Sequence, residues 1–271
     1  MKSNNKKRKK VGLALGSGGF RGSAHIGVIK VLLENDIPID FVAGSSVGSL
    51  VGAHYCLFKD IKKTSDDFLK QQEKKYSYLR DLSFNDGFLS GKTFENDFRK
   101  LFVKSSFSDL KIPLSIISTD LVSGSSFIFN EGDLATAVRA SISIPLAFSP
   151  LKFKDKFLVD GGMSNPVPDD VVRKMGADVV ISVDLYNEYR LFHKQLDFSK
   201  VIMRSIEITL FNLSKNTLKD SDVVINPDSS NFSKDSGIRT YFSKDVFQAI
   251  MRNAEEETRK KISEIKKIID L

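Results

Sequence analysis

A single cysteine, Cys56, leaves the chain no internal disulfide and no thiolate framework for a metal. Histidine is also scarce. His25, His54 and His193 stand far apart and show no zinc-ligand spacing, so no metal site is expected. Long apolar runs are missing too. After the basic start the apolar stretch is only Val11-Gly12-Leu13-Ala14-Leu15, shorter than the roughly 7–15 residues of a secretion signal. The longest uncharged stretch, Phe41 to Phe58, is diluted by three glycines, three serines and His54, which argues against a membrane span. A cytoplasmic protein is the expectation.

Acidic residues are absent from the first ten positions, which hold Lys2, Lys6, Lys7, Arg8, Lys9 and Lys10. Removing those six from the formal charge of +7 leaves +1 for the rest of the 271 residues. The body is therefore near neutral, and no nucleic-acid-binding surface is expected. Residues 1–9 read as a basic, disordered tail. Two roles stand side by side for it: solvation alone, or weak peripheral contact of Lys2–Lys10 with an anionic inner membrane face. The remainder, with 41% hydrophobic residues and 21 Phe, can bury a sizeable core. No repeat or linker breaks it, so residues 10–271 read as one domain.

Strand and helix patterns alternate from the start. Val11–Leu15 reads as a buried strand, Gly16–Gly22 as a glycine turn, and Ser23–Glu34 as a helix with Ile26, Val28, Ile29, Leu32 and Leu33 on its apolar face. A second strand, Phe41–Ala43, leads through Gly44–Gly48 into a helix ending near Phe58. This is a parallel βαβ unit and points to an α/β fold. Residues 59–80 are charged and helical in pattern. Arg80–Gly91, with Phe84, Phe88 and Leu89, reads either as a mobile cover or as a packed loop. Further strands are expected at Leu114–Thr119, Phe127–Phe129, Lys156–Val159, Asp178–Val183 and Val223–Ile225. Further helices are expected at Asp133–Ser141, Asp169–Met175, Ser199–Leu218 and from Phe242 to about Ile269.

Three patterns bear on chemistry. Gly44-Ser45-Ser46-Val47-Gly48 matches G-x-S-x-G between strand and helix, which puts Ser46 on a sharp turn at a helix N-terminus. The same residues would also serve as an ordinary helix cap. Gly16–Gly22 offers backbone N–H groups to an anion. A dinucleotide is disfavoured, because Arg21 stands where the third glycine belongs and no acid follows the second strand. An acyl oxyanion, held by N–H groups such as those of Gly18 and Gly19, is the other candidate. Asp160-Gly161-Gly162 follows an apolar strand and presents either a desolvated base or a plain Asp-Gly turn. No histidine is well placed to serve Ser46: His54 lies about 12 Å along the helix from it.

Taken in order, these segments resemble the patatin-like phospholipase family. Gly16–Gly22 with Ala24–Val28 resembles its oxyanion motif and first helix, and Gly44–Gly48 its nucleophile elbow. Asp160-Gly161-Gly162 through Asn165–Pro168 resembles its aspartate motif, and Arg139–Pro145 the segment that precedes it. The resemblance implies a three-layer α/β/α sandwich with a mainly parallel sheet. It implies a serine acyl hydrolase with Ser46 as nucleophile, Asp160 as base, and Gly18 and Gly19 as oxyanion donors with Arg21 anchoring their loop. The motif glycines are Gly16, Gly22, Gly44, Gly48, Gly161 and Gly162. Lipid or lysophospholipid esters are the implied substrates, with no cofactor. Ser17 and Ser45 depart from the usual glycine and threonine. The alternative is a catalytically quiet lipid-binding or regulatory module on the same fold.

Overall fold

A computed structural model describes residues 8–71, 92–186, 198–228 and 243–271. The expected loop cover at 80–91, His193 and Lys2–Lys7 lie outside the described residues.

Among the described residues, eight strands form one sheet: β1 (Val11–Leu15), β2 (Phe41–Ser45), β3 (Leu114–Asp120), β4 (Ser126–Phe129), β5 (Leu151–Phe153), β6 (Lys156–Asp160), β7 (Val179–Val183) and β8 (Val223–Ile225). Its hydrogen-bonded path runs β5-β6-β3-β2-β1-β7-β8, and β4 also pairs with β3. The block β3-β2-β1-β7-β8 is parallel. Antiparallel pairing begins at β3, which bonds β4 and β6, and continues from β6 to β5. The parallel strands are apolar on both sides, as strands covered by helices on two faces must be.

The helices are α1 (Ser23–Glu34), α2 (Val47–Phe58), α3 (Ile61–Gln71), α4 (Lys92–Leu101), α5 (Leu134–Ser141), α6 (Asp169–Lys174), α7 (Phe198–Thr217) and α8 (Lys244–Ile269). One face of the sheet carries the larger core, where Leu13, Leu15, Val42 and Ile116 meet apolar residues of α1, α2, α5 and α8. The opposite face carries Ala43, Ile117 and Val180 against Val171 and Val172 of α6. That arrangement is a three-layer α/β/α sandwich. Among the described residues, no helix is long and apolar enough to cross a membrane.

Three elements differ from the sequence reading. β2 continues through Gly44 and Ser45, because parallel pairing with Ile116 and Ile117 of β3 carries these small residues on as strand. α4 and β5 were not foreseen from the sequence. The inner end of the basic segment is also paired: Arg8 donates to both carboxylate oxygens of Asp40 (2.7 and 2.6 Å), and Lys9 Nζ donates to Ile268 O (2.6 Å).

The closing helix α8 docks on α1 at close range. A Cβ on Gly27 of α1 would collide with the Met251 carbonyl oxygen of α8, a backbone atom that cannot step aside alone. We predict that Gly27→Ala lowers unfolding stability by about 1–3 kcal/mol through overpacking. Urea titration should show a lower midpoint at unchanged slope. An unchanged midpoint would show that this crossing tolerates a methyl group.

Candidate active site

The site forms where β3 changes partners. Ile116–Thr119 bond Phe129–Ser126 of β4 along one edge. Because those residues are already engaged there, β2 and β6 must share the other edge end to end. β2 pairs with Leu114–Ile117 and β6 with Ser118–Asp120. Ser45 stands opposite Ile117 and Asp160 opposite Ser118, so the two strand ends meet at adjacent residues of β3. The segments that follow, Ser46 and Gly161-Gly162, are thereby brought face to face.

Ser46 has φ 51° and ψ −123°, a left-handed backbone that costs a serine about 1–3 kcal/mol. The turn closes only with glycine on either side. A Cβ on Gly44 would lie 2.6 Å from Gly48 O, and one on Gly48 would collide with Leu15 O. Ser46 Oγ donates to Asp160 Oδ2 at 2.6 Å. Neither serine caps α2 through its side chain: Ser46 makes no capping bond, and Ser45 Oγ is buried without a hydrogen-bond partner.

Asp160 is 4% exposed, and its other oxygen, Oδ1, accepts the Gly162 N–H (2.8 Å). Burial pushes the carboxyl up to about 6, while the bonds from Ser46 and Gly162 pull it back. Its own N–H donates to Ser143 O (3.0 Å). Ser46 N–H donates to Ser141 Oγ (2.9 Å), and Ser141 Oγ donates to Ile117 O (2.5 Å). Arg139, 2% exposed, donates to Ser143 Oγ (2.5 Å) and Ser149 O (3.0 Å).

The glycine turn after β1 forms the facing wall. Gly16 N–H donates to Val183 O (3.0 Å) and Ser17 N–H to Pro166 O (2.8 Å), which ties the loop to the end of β7 and to the segment before α6. Arg21 is 4% exposed. Its Nε donates to Gly18 O (2.9 Å) and its Nη1 to Leu185 O (2.7 Å), with the guanidinium 5.1 Å from the Tyr186 ring centre. These bonds hold the Gly18 carbonyl back into the protein. The N–H groups of Gly18 and Gly19 donate to no acceptor among the described residues, and both glycines line the cleft beside Ser46 and Asp160. The cleft holds about 170 Å³ and is walled by Ile144, Pro145, Met163, Met203, Ile206 and Leu210.

The structure thus brings Ser46, Asp160, Gly18, Gly19 and Arg21 to one cleft. Gly22 meets the same turn from behind, since a Cβ there would collide with Val47. The described histidines stay out. His25 Nε2 donates to Gly16 O (2.8 Å), and His54 Nδ1 bonds Thr64 Oγ1 (2.9 Å) beside Asp67. Sequence reasoning passed over Ser141 and Ser143, whose segment it noted without roles. It also missed the α7 wall, although Met203, Ile206 and Leu210 recur at helical spacing.

Burial pushes His25 down to about 4, its bond to Gly16 opposing the shift. Its imidazole is therefore neutral at every pH above about 5, with Nε2–H committed to the loop. We predict that the His25 ring resonances stay constant from pH 8 to about 5. A midpoint near 6.5 in an NMR titration would contradict this burial.

A family model described as patatin-like phospholipase matches residues 13–172. The neuropathy target esterase of Drosophila melanogaster is 36% identical over 181 residues, which span 65% of this chain and 13% of that protein. An uncharacterized NTE family protein of Mycobacterium bovis is 35% identical over 181 residues, 65% of this chain and 49% of its own. The match thus covers less than half of either relative's length. Among solved structures, VipD from Legionella pneumophila aligns with 93% of this chain and 67% of its own at TM-score 0.48 and 13% identity.

Proposed function

The chain belongs to the patatin-like phospholipase family, and from that premise we propose that it is a serine acyl hydrolase of lipid esters working through Ser46 and Asp160. The observation that carries this reading is the 2.6 Å bond from Ser46 Oγ to a carboxylate buried at the end of β6.

The chemistry follows from the geometry. Ionised Asp160 accepts the Ser46 hydroxyl proton as Oγ attacks the acyl carbon. The carbonyl oxygen becomes an oxyanion beside the Gly18 and Gly19 N–H groups, which no acceptor among the described residues occupies. Collapse of the tetrahedral intermediate expels the alcohol, which takes the proton back from Asp160. Water then attacks the acyl-Ser46 ester with Asp160 again as base, the proton passes from Asp160 to the departing Ser46 Oγ, and the fatty acid leaves. Arg21 supports the donors by drawing the Gly18 carbonyl away from the cleft. The apolar wall of Ile144, Met163, Met203, Ile206 and Leu210 suits an acyl chain. Phospholipids, lysophospholipids and neutral lipid esters all fit this description. A quiet binding module would have no use for a strained serine and a desolvated carboxylate, both of which cost stability.

We predict that Ser46→Ala and Asp160→Asn each lower kcat for a p-nitrophenyl ester by about 10³-fold or more, whereas His25→Gln and His54→Ala retain activity. The sign of the pH dependence follows from Asp160. The base must be ionised and burial raises its pKa, so kcat/KM falls as pH drops through about 6. A folded Asp160→Asn enzyme with near-normal turnover would overturn the dyad.

We also propose that the basic N-terminal segment contacts anionic membrane weakly and reversibly. Arg8 and Lys9 are engaged with Asp40 and Ile268, so Lys2, Lys6 and Lys7 are the charges to test. Deleting residues 2–7 should reduce sedimentation with phosphatidylglycerol vesicles at about 50 mM salt, leave soluble-ester hydrolysis unchanged, and have no effect at about 300 mM. Equal binding of both proteins at low salt would leave only the solvation role.

A further inference from the structure

The exit of α5 touches both members of the reacting pair through their backbone. Ser141 Oγ accepts the Ser46 N–H, and Ser143 O accepts the Asp160 N–H. Only Ile142 separates these two contacts. Ser141 is fully buried, and its proton has one destination: Ile117 O can only accept, so Oγ–H points there and a lone pair faces Ser46 N–H. Ile117 is the last β3 residue paired with β2, directly before Ser118 pairs with Asp160. The Ser141 hydroxyl therefore occupies the junction between the two strand ends and bonds to both β3 and the elbow.

The other contact is anchored as firmly. Ser143 Oγ donates to Arg139 O (2.8 Å) and accepts from the Arg139 guanidinium. Arg139 also holds Ser149 O, and its guanidinium lies 5.2 Å from the Phe148 ring centre. The segment is thus fixed to its own helix on one side and to the following loop on the other.

We propose that Ser141 is a positioning residue for catalysis, its hydroxyl fixing the Ser46 backbone so that Oγ stays aligned with Asp160, while Ser143 sets the aspartate side of the same gauge. The inference rests on the Ser46–Asp160 reading and adds to it the device that sets their separation. The strained φ of Ser46 explains the need for one. A backbone held in an unfavourable conformation relaxes unless neighbouring bonds over-determine it, and the Ser46 N–H is one of those bonds.

Ser141→Ala removes the acceptor for Ser46 N–H and the donor to Ile117 O together. Relaxation of the elbow by a fraction of an ångström to one ångström should lower kcat for a p-nitrophenyl ester by up to about 10²-fold, with KM little changed. A second readout separates alignment from stability. The Ser46 bond holds the Asp160 carboxyl lower than burial alone would, so misaligning Oγ should move the acid limb of kcat/KM to higher pH. Ser141→Cys keeps the branching of the side chain with a somewhat larger sulfur that is a weak donor and acceptor, and should move the limb in the same direction. If Ser141→Ala does not fold, the cysteine variant carries the test. Folded variants with wild-type kcat and an unmoved acid limb, whatever their melting temperature, would overturn the proposal. Failure of the underlying dyad would look different: Ser46→Ala itself would retain turnover, or the wild-type enzyme would lack the acid limb.

Discussion

The short bond between Ser46 Oγ and Asp160 Oδ2 is the contact on which the rest of this structure converges. The two residues are 114 positions apart in sequence, and no local motif brings them together. They meet because β3 is long enough to take two partners in succession on one edge. β2 runs parallel along its first half and β6 antiparallel along its second, so their C-terminal ends point at each other. A parallel sheet alone would have sent both ends the same way. The antiparallel β6 thus makes the site, and the parallel block serves as its platform.

The arrangement is held against real costs. A serine at positive φ and a carboxylate 4% exposed both oppose folding. The carboxylate is offset by bonds to both of its oxygens, from Ser46 and from Gly162. The elbow is offset by packing: glycines at 44 and 48 let β1, β2 and α2 close to backbone contact, and α2 sits in the large apolar core. The facing loop is treated in the same way. Arg21 spends its guanidinium on carbonyls of Gly18 and Leu185, while Gly18 and Gly19 line the cleft.

Much of this was legible in the residues. The parallel strands show as short apolar runs because helices cover both faces, and the elbow shows as G-x-S-x-G because its backbone approaches so closely. From its own segment Asp160 could be singled out only as an acid at a strand end with glycines after it, and its role as base came from the family resemblance. Its pairing with Ser46 depends on the reversed direction of β6, which nothing within β6 encodes. β5 was missed because three residues carry too little pattern, and its strand character comes from pairing with β6. α4 did carry a signal, Phe94, Phe98 and Leu101 at spacings of four and three, that went unread. Ser141 and Ser143 look like ordinary serines at a helix end. Their meaning lies in two hydrogen bonds across the chain, a level of detail that periodicity does not reach.

Activation of Ser46 by Asp160 is proposed to end in a covalent bond between Ser46 Oγ and the acyl group. The most direct measurement is covalent capture. A fluorophosphonate probe, whose tetrahedral phosphorus adduct mimics the intermediate, is incubated with the native protein and with Asp160→Asn, and the adduct is located by mass spectrometry of peptides. Stoichiometric labelling of Ser46 is expected in the native protein and little in the variant. Labelling of Ser45 or Ser49 instead, equal labelling of Ser46 in both proteins, or no adduct at all would contradict it.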